Sequence, residues 1–188
     1  MDSIPDRTAI TNEDNGSRRR VSAAGIALIC DEEQLRLKPY LCATGHWSIG
    51  YGHVIREHEA GRYFDNGITE ADARTVLAND LAPVEIYLTG LFPSLEQYQF
   101  DALAALIHNI GLGAFDNSTL KRKLSNGDIV AASAQFLVWD KGRVNGPPLV
   151  QLGGLVNRRH REKTLFDTGV DPGRQQVWQA MKGVVANG

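Results

Sequence analysis

Residues 94–110 constrain the fold of this chain more than any other stretch. Their apolar side chains lie nearly all round a helix instead of along one stripe. A helix of that kind is normally interior, so we expect it to form the core of a helical lobe. A capping box that begins at Ser94 predicts its start, and the pattern ends at about Ile110. Its apolar members are Tyr98, Phe100, Ala102, Leu103, Ala105, Leu106, Ile107 and Ile110.

Helices are predicted on both sides of this stretch. Thr69 and Asp72 form a second capping box, and the helix that follows is expected to bend or break at Pro83. Residues 142–154 are rich in Gly and Pro and predict a loop. Further helices are predicted to begin after Asn117 or Ser118, after Asp128, at Leu155 (to about Phe166) and at Gln175 (to about Val184).

Composition indicates one soluble globular domain. The chain has 188 residues, of which 43% are hydrophobic and 22% are charged. We expect a flexible arm at residues 1–20 and a single domain at 21–188. No apolar run approaches the ~20 residues of a membrane span, and the polar start is not a secretory signal, so stable membrane anchoring is not expected. Two cysteines give no disulfide framework and suit a reducing cytoplasm.

Charge is unevenly distributed. Residues 117–163 contain nine Lys or Arg and three Asp or Glu, although the whole chain has a net charge of −2. This segment is either a solvated basic face or a surface that attracts an anionic polymer such as bacterial cell wall. No nucleic-acid-binding motif occurs, so nucleic acid is not an expected partner. The cysteines and histidines form no spaced ligand set, so neither a metal nor a cofactor is expected.

A candidate acid lies near the end of the first predicted helix. Ile26, Ile29, Cys30 and Glu33 share one helix face, on which the carboxylate is the exception. Pro39 predicts that the helix ends shortly after Glu33. Burial and the negative end of the helix dipole both favour the protonated carboxyl, which is the form that a general acid needs.

A β-hairpin is predicted directly after this helix. A turn signal at residues 43–46 separates two short strand-like segments, 40–42 and 47–51. Alternation puts Trp47, Ile49 and Tyr51 on one face of the second strand. The other face has Ser48, Gly50 and Gly52, and we expect a bulky chain to be able to lie against it.

These residues resemble the catalytic signature of the phage-type lysozymes, glycoside hydrolase family 24. The family pattern is Glu, eight residues, Asp or Cys, five residues, Thr, and then an Ile-Gly-x-Gly-His run. Glu33, Cys42 and Ser48 fit this spacing, with Cys in the second place and Ser in the third, and Ile49–His53 completes the run. The resemblance covers roughly residues 22–168. It continues through Phe100–Leu103, His108–Gly111, Asn117–Leu120, Trp139 and Gly154–Arg159.

The resemblance implies an α+β, mainly α, lysozyme-like fold. A small β-hairpin lobe at about 38–67 would join a helical lobe at about 68–184, with the active cleft between them. It also implies muramidase activity, which is hydrolysis of the β-1,4 bond between N-acetylmuramic acid and N-acetylglucosamine. Glu33 would be the general acid, Cys42 a base or a nucleophile, and Ser48 the residue that positions water.

Three further residues are candidates for substrate binding. Asn109 matches a family position whose amide faces the cleft, although a satisfied helix-end amide is an equal alternative. His53 would contact substrate or be structural, and Arg158 would meet peptidoglycan carboxylates or close the lobe through ion pairs. Some relatives also imply a regulatory disulfide, here between Cys30 and Cys42.

The resemblance predicts a phage endolysin that causes host cell lysis. The protein would be a monomer, made in the host cytoplasm and passed to the wall through a holin pore, with peptidoglycan as its partner. A lytic transglycosylase, which needs no second carboxylate, is one alternative. A peptidoglycan-binding protein with little turnover is another, and a lysozyme domain within a tail or a secreted effector is a third.

Overall fold

A helix with almost no exposed surface, α4 (Gln97–Ile110), lies at the centre of the larger lobe. The computed structural model describes residues 19–42, 45–143, 148–173 and 176. Every residue from Phe100 to Ile107 is at most 2% exposed, which confirms the interior helix. Its N-cap is two residues later than the predicted cap at Ser94. Glu96 caps it instead, because the Gln99 side chain bonds the Glu96 backbone N–H in a reciprocal box.

Three long elements pack against α4: α1 (Ala23–Glu33), α3 (Glu70–Leu91) and α8 (Gly153–Thr168). Ser22 caps α1, and its hydroxyl also donates to Asp101 of α4. A Cβ on Gly25 would lie 2.8 Å from the Cβ of Asp101, so the glycine allows α1 to approach α4 closely. This contact fixes α1, which ends at Glu33.

The helix α3 confirms one expectation and overturns another. Thr69 and Asp72 form the predicted capping box. Of the two outcomes predicted at Pro83, the break is wrong, because the helix is continuous from Glu70 to Leu91, and the bend stays a prediction. Leu81 and Val84, on either side of the proline, are at most 5% exposed. Packing of this apolar face outweighs the one hydrogen bond that proline removes.

The smaller lobe is an antiparallel sheet, β1 (Arg36–Leu41), β2 (Trp47–Gly50) and β3 (His53–Val54), in that order. The predicted hairpin is confirmed. Pro39 lies inside β1 and does not itself end α1. The helix ends before the proline because Gln34 adopts a φ of 55°. Gln34 turns the chain directly from the acid into the sheet.

The predicted open face of β2 is wrong. Ser48 is 2% exposed. A Cβ built on Gly50 would lie 3.4 Å from the Cβ of Ala73 on α3, which is van der Waals contact. Trp47 is the exposed residue instead, at 46%, and its ring packs edge-on against Phe64. The long helix α3 covers the glycine because a position without a side chain accepts the closest packing.

The remaining elements complete the helical lobe. Ser118 and Asp128 cap helices as predicted. The predicted loop at 142–154 is wrong in part, because β4 pairs with β5 there.

The last predicted helix, beyond Gln175, and most of the predicted arm fall outside the described residues. Within the described ranges, no helix is both long and apolar enough to cross a membrane. The other bounds are α2 Ala60–Tyr63, α5 Leu112–Asp116, α6 Thr119–Ser125, α7 Ile129–Ala134, β4 Lys141–Arg143, β5 Leu149–Gln151, and 3-10 turns at Glu57–Glu59 and Gln135–Val138.

Candidate active site

Glu33 is the last residue of α1, at the boundary between the helical lobe and the sheet. Its side chain is 19% exposed, so the carboxylate is partly desolvated and still open to a ligand. The C-terminal end of α1, where the helix dipole is negative, lies beside this carboxylate. The half-buried position that the sequence predicts for this residue is therefore confirmed.

Arg158 of α8 holds this carboxylate. Its Nη1 donates to Oε1 of Glu33 at 2.6 Å, its Nε to Glu162 at 3.0 Å, and its Nη2 to the carbonyl of Ala105 at 3.3 Å. Burial lowers the pKa of the guanidinium, but the two carboxylates outweigh burial and raise it. Arg158, a predicted substrate contact, is only 4% exposed and makes these contacts inside the protein.

The glycine-rich turn after β2 lies on the other side of the Glu33 carboxylate. A Cβ on Gly52 would lie 3.3 Å from Oε2 of Glu33. Gly52 also has a φ of +86°, a conformation that residues with side chains rarely adopt. Two constraints, one on the backbone and one on the space, therefore require glycine beside the acid.

Tyr40 connects the acid to the two hairpin candidates. Burial raises the pKa of the Tyr40 hydroxyl, and the charges of Glu33 and of the Cys42 thiolate raise it further. Tyr40 is paired with Ser48 across β1 and β2, so their side chains share one face of the sheet. Cys42 is two residues beyond Tyr40 and follows the same face. Tyr40 therefore lies within electrostatic range of Glu33 and Cys42 and opposite Ser48 in the sheet. That these three residues act as one catalytic site stays a prediction.

His53 lies between two carboxylates. Its Nδ1 is 3.0 Å from both carboxylate oxygens of Asp80 on α3, and its Nε2 is 3.4 Å from Glu59. The hydrogen bond to Asp80 raises the pKa of His53, burial opposes this, and the charges of Asp80 and Glu59 add to it. Both ring nitrogens face protein groups. This position suits the structural alternative that the sequence left open.

Asn109, near the end of α4, is exposed, as a substrate-binding residue would be. Its amide oxygen accepts a hydrogen bond from Nη2 of Arg159 at 3.0 Å. That bond fixes which way the amide faces. The same Arg159 nitrogen donates to Glu162 at 2.9 Å, so Asn109 is connected to the residues that hold Arg158.

Two cavities adjoin the acid, and each includes one of the residues beside its carboxylate. A cavity of about 310 Å³ is lined by Gly52, His53 and His108 among others. A second, of about 460 Å³, is lined by Arg158, Leu155 and Gln34 among others. Among the described residues, Glu33 itself lines neither cavity; its neighbours Gly52 and Arg158 each line one.

Cys30 and Cys42 are not joined by a disulfide in this structure. The thiol of Cys30 bonds the hydroxyl of Tyr51, and burial raises the pKa of Cys30. The disulfide between Cys30 and Cys42 stays a prediction. Within the described residues, no group of His, Cys, Asp and Glu is arranged to hold a metal ion.

Sequence reasoning missed three residues of the site. Tyr40 was treated only as part of a strand, although its even spacing from Cys42 indicates a shared face. Gly52 was predicted to border a groove, but its contact with Glu33 was not. Glu162 carried a usable signal, because it is four residues after Arg158 on a predicted helix and such pairs are neighbours.

Comparisons with known proteins agree with this geometry. The model of the family described as phage lysozyme matches residues 31–162, a range that includes Glu33, Cys42, Ser48 and Arg158. The endolysin of Acyrthosiphon pisum secondary endosymbiont phage 1 is 42% identical over 149 residues, which are 79% of this chain and 98% of that protein. The endolysin of Bacillus phage PZA is 39% identical over 80% of this chain, which spans only 56% of that protein.

A solved structure shows the same fold. The muramidase domain of SpmX from Asticaccaulis excentricus superposes with a TM-score of 0.71 at 34% sequence identity. The superposition covers 80% of this chain and 99% of that one. Family model, relative and fold agree over the part of the chain that contains the acid and its partners. The chain belongs to the phage lysozyme family.

Proposed function

We propose that this protein is an endolysin with muramidase activity. It cleaves the β-1,4 bond between N-acetylmuramic acid and N-acetylglucosamine in bacterial peptidoglycan and so lyses the host cell. One observation carries the proposal: the partly buried Glu33 carboxylate is held by Arg158 and faces the turn at Gly52. The family match and the endolysin relatives support the same substrate.

Glu33 acts as the general acid. Its carboxyl proton passes to the glycosidic oxygen, and the bond from that oxygen to the anomeric carbon breaks with both electrons on the oxygen. Arg158 holds Oε1, so Oε2, the oxygen nearest to Gly52, is the one that delivers the proton. A bare glycine at that point leaves room for a sugar oxygen to approach.

Cys42 supplies the second group, and two roles remain open. As a base, the thiolate removes a proton from the water that attacks the anomeric carbon, and the product is inverted. As a nucleophile, it forms a thioglycoside that water then hydrolyses, and the configuration is retained. Ser48 positions the water in either case, because a hydroxyl both donates and accepts a hydrogen bond.

Asn109 is proposed to contact the substrate directly, whereas His53 and Arg158 are proposed to act on it indirectly. Asn109 is exposed and its amide oxygen is held by Arg159, so we propose that its amide N–H groups donate to the substrate. His53 and Arg158 act on the substrate through the groups they hold, since their nitrogens already face Asp80, Glu59, Glu33 and Glu162. We expect Asn109→Ala to raise KM with little change in kcat, measured on soluble peptidoglycan fragments.

The experiment that tests the function is product analysis of purified peptidoglycan. A muramidase leaves reducing ends, whereas a transglycosylase leaves 1,6-anhydro ends, and mass spectrometry distinguishes the two. Anomeric configuration by NMR then separates base from nucleophile at Cys42. Binding to the wall without either product would support the peptidoglycan-binding alternative and contradict the proposal.

Variants of the second group sharpen this test. Cys42→Asp replaces the thiol by a carboxylate that is ionised at neutral pH, so activity is expected to persist if Cys42 is a base. Cys42→Ala is expected to lose activity by about 10²–10⁴-fold, as for loss of a general base. Ser48→Thr is the matched conservative variant and keeps the hydroxyl that Ser48→Ala removes.

The biological setting is part of the same proposal. The protein is a monomer that is made in the host cytoplasm, passes through a holin pore and acts on the cell wall. Sedimentation tests the monomer. Expression in host cells tests the route: lysis is expected only when a holin is co-expressed, and lysis without one would contradict this route.

A further inference from the structure

The segment of α8 beneath the acid carries three charged residues that are almost completely buried. Arg158, Arg159 and Glu162 are 4%, 0% and 0% exposed. They form one chain of contacts with Glu33, because Glu162 accepts from both arginines and Arg158 donates to the acid. Two guanidiniums therefore face two carboxylates, and one of those carboxylates is the proposed general acid.

The two arginines are not equivalent. Arg158 is bonded through all three of its nitrogens, to Glu33, Glu162 and the carbonyl of Ala105. Among the described residues, Nε and Nη1 of Arg159 have no hydrogen-bond partner although both are buried. Burial accordingly lowers the pKa of Arg159 to about 10, despite the charge of Glu162. Arg159 is thus a poorly solvated cation that Glu162 neutralises.

Stability alone is a poor explanation for this arrangement. Burying ions is costly, and well-packed apolar residues of similar volume are often as stable or more so. A buried polar network with unsatisfied atoms is less favourable still. These charges meet at one particular group, the carboxylate of Glu33.

We propose that Glu162 is a positioning and charge-balancing residue for Glu33. It holds the Arg158 guanidinium in the orientation that fixes Oε1 of the acid, and it cancels one of the two buried positive charges beneath that acid. With Glu162 ionised, one uncompensated cation remains for the one carboxylate of Glu33. Without Glu162, two cations would share the single carboxylate of Glu33. This inference rests on the proposed role of Glu33 as general acid.

Other charged groups near Glu33 define the background for the test. Tyr40 faces it from β1, and the Cys42 thiol lies close to Tyr40. Glu32 precedes it on α1 and is held by Arg161 of α8 at 2.5 Å. Glu32 also acts electrostatically on Arg159 and Glu162, but none of Tyr40, Cys42 and Glu32 is replaced in the variants compared below. A change in pH dependence in such variants therefore reports the charges of the α8 pair.

The experiment compares pH profiles of kcat/KM for the wild type, Glu162→Gln, Arg159→Met and the double variant. Glu162→Gln leaves excess positive charge, which favours the carboxylate form of the acid. The alkaline limb of its kcat/KM profile is expected to move about one pH unit lower. At a pH on that limb, kcat/KM is then about tenfold lower than in the wild type, whereas on the acid side it changes little. Arg159→Met is expected to move the limb in the opposite direction.

The double variant separates charge balance from simple structural damage. If charge balance is the cause, removing both partners restores the wild-type limb. If the residues are only structural, the losses add, and no limb moves. The matched control is Asp167→Asn, the same change of charge on α8, where the carboxylate meets Lys163 and Ser133. Its limb is expected to stay in place.

The outcomes also distinguish this inference from the proposed function. Inactivity of the wild type, or retained activity in Glu33→Gln, would contradict the proposed function itself. An inactive Glu33→Gln together with an unmoved limb in Glu162→Gln would overturn the inference alone. If Glu162→Gln does not fold, as thermal unfolding by circular dichroism would reveal, the limb of Arg159→Met decides: a shift to higher pH supports the inference and no shift overturns it.

Discussion

Glu33 and His53 lie on either side of Gly52, and they are held in different ways. Glu33 is paired with an arginine, whose charge is permanent at physiological pH. His53 is paired with two carboxylates, and its own charge depends on pH. The cation that holds Glu33 therefore stays charged over the pH range in which His53 titrates. The contact that fastens the sheet to α3 weakens as pH rises.

Exposure differs between the two regions as well. The guanidinium beneath Glu33 is 5% exposed, whereas the carboxylate of Asp80 beside His53 is 29% exposed. Water can compensate for a lost partner at Asp80 more easily than at Arg158. Substitutions around Glu33 are therefore expected to be more destabilising than substitutions around His53.

The largest effect is expected from Arg158→Met. It leaves the carboxylates of Glu33 and Glu162 without their shared cation, so the free energy of unfolding should fall by about 3–5 kcal/mol. Urea denaturation measures the loss, and activity should fall with it. A loss below about 1 kcal/mol, typical of an exposed pair, would contradict the contrast between the two regions.

A smaller effect is expected from Gly52→Ala, at the point where the two regions meet. The positive φ alone is expected to cost about 1–3 kcal/mol, and the added methyl group also displaces Oε2 of Glu33. Gly45→Ala is the matched control, because Gly45 has a φ of +82° and nothing within 4 Å of the added Cβ. Both variants should lose stability by similar amounts. Only Gly52→Ala should also lose kcat, and equal activity in the two would refute a close contact with the acid.

The pH dependence of stability tests the histidine side. The folded-state pKa of His53 is raised above its ordinary value of 6.5, chiefly by the hydrogen bond to Asp80. Its contribution is therefore complete below pH 6.5 and is lost as pH rises through the raised pKa. We expect the wild type to lose about 1–2 kcal/mol over that rise, somewhat less than the ~1.5–3 kcal/mol of a hydrogen bond to a charged group, because Asp80 is 29% exposed.

His53→Gln should remove that dependence, as measured by urea denaturation at a series of pH values. His46→Gln is the control, because His46 is exposed. An unchanged slope in His53→Gln would show that His53 is not the group that titrates. A slope lost equally in His46→Gln would have the same consequence.

The smallest effect is expected for an exposed ion pair on α3. Arg74 and Glu70 are an i,i+4 pair whose side chains are 54% and 56% exposed. Arg74→Ala should change the free energy of unfolding by less than about 0.5 kcal/mol. A loss comparable to that of Arg158→Met would mean that burial does not determine how much such an ion pair contributes to the free energy of unfolding.

Local patterns in the sequence predict much of this fold. The interior helix α4, the capping boxes at Thr69 and the hairpin around Ser48 each follow from the identities of neighbouring residues. Glu33 could be placed at the end of α1 in the same way, because helix periodicity and a proline are local signals. These elements are the ones for which local preference and tertiary packing agree.

The remainder depends on contacts between distant parts of the chain. Arg158 is 125 residues from Glu33, so no local spacing connects them. Pro83 predicts a break from local rules, but the core on both sides keeps α3 continuous. The open face predicted for Gly50 is covered by Ala73, which belongs to α3. Each difference arises where a second element supplies the partner.

The most direct test of the account measures kcat for Glu33→Gln on purified peptidoglycan. The amide keeps the shape of the side chain and removes the proton that the mechanism transfers. We expect kcat to fall by about 10²–10⁴-fold, the usual contribution of a general acid, with wall binding and thermal unfolding unchanged. Activity within about twofold of the wild type, where a general acid contributes at least a hundredfold, would contradict the account.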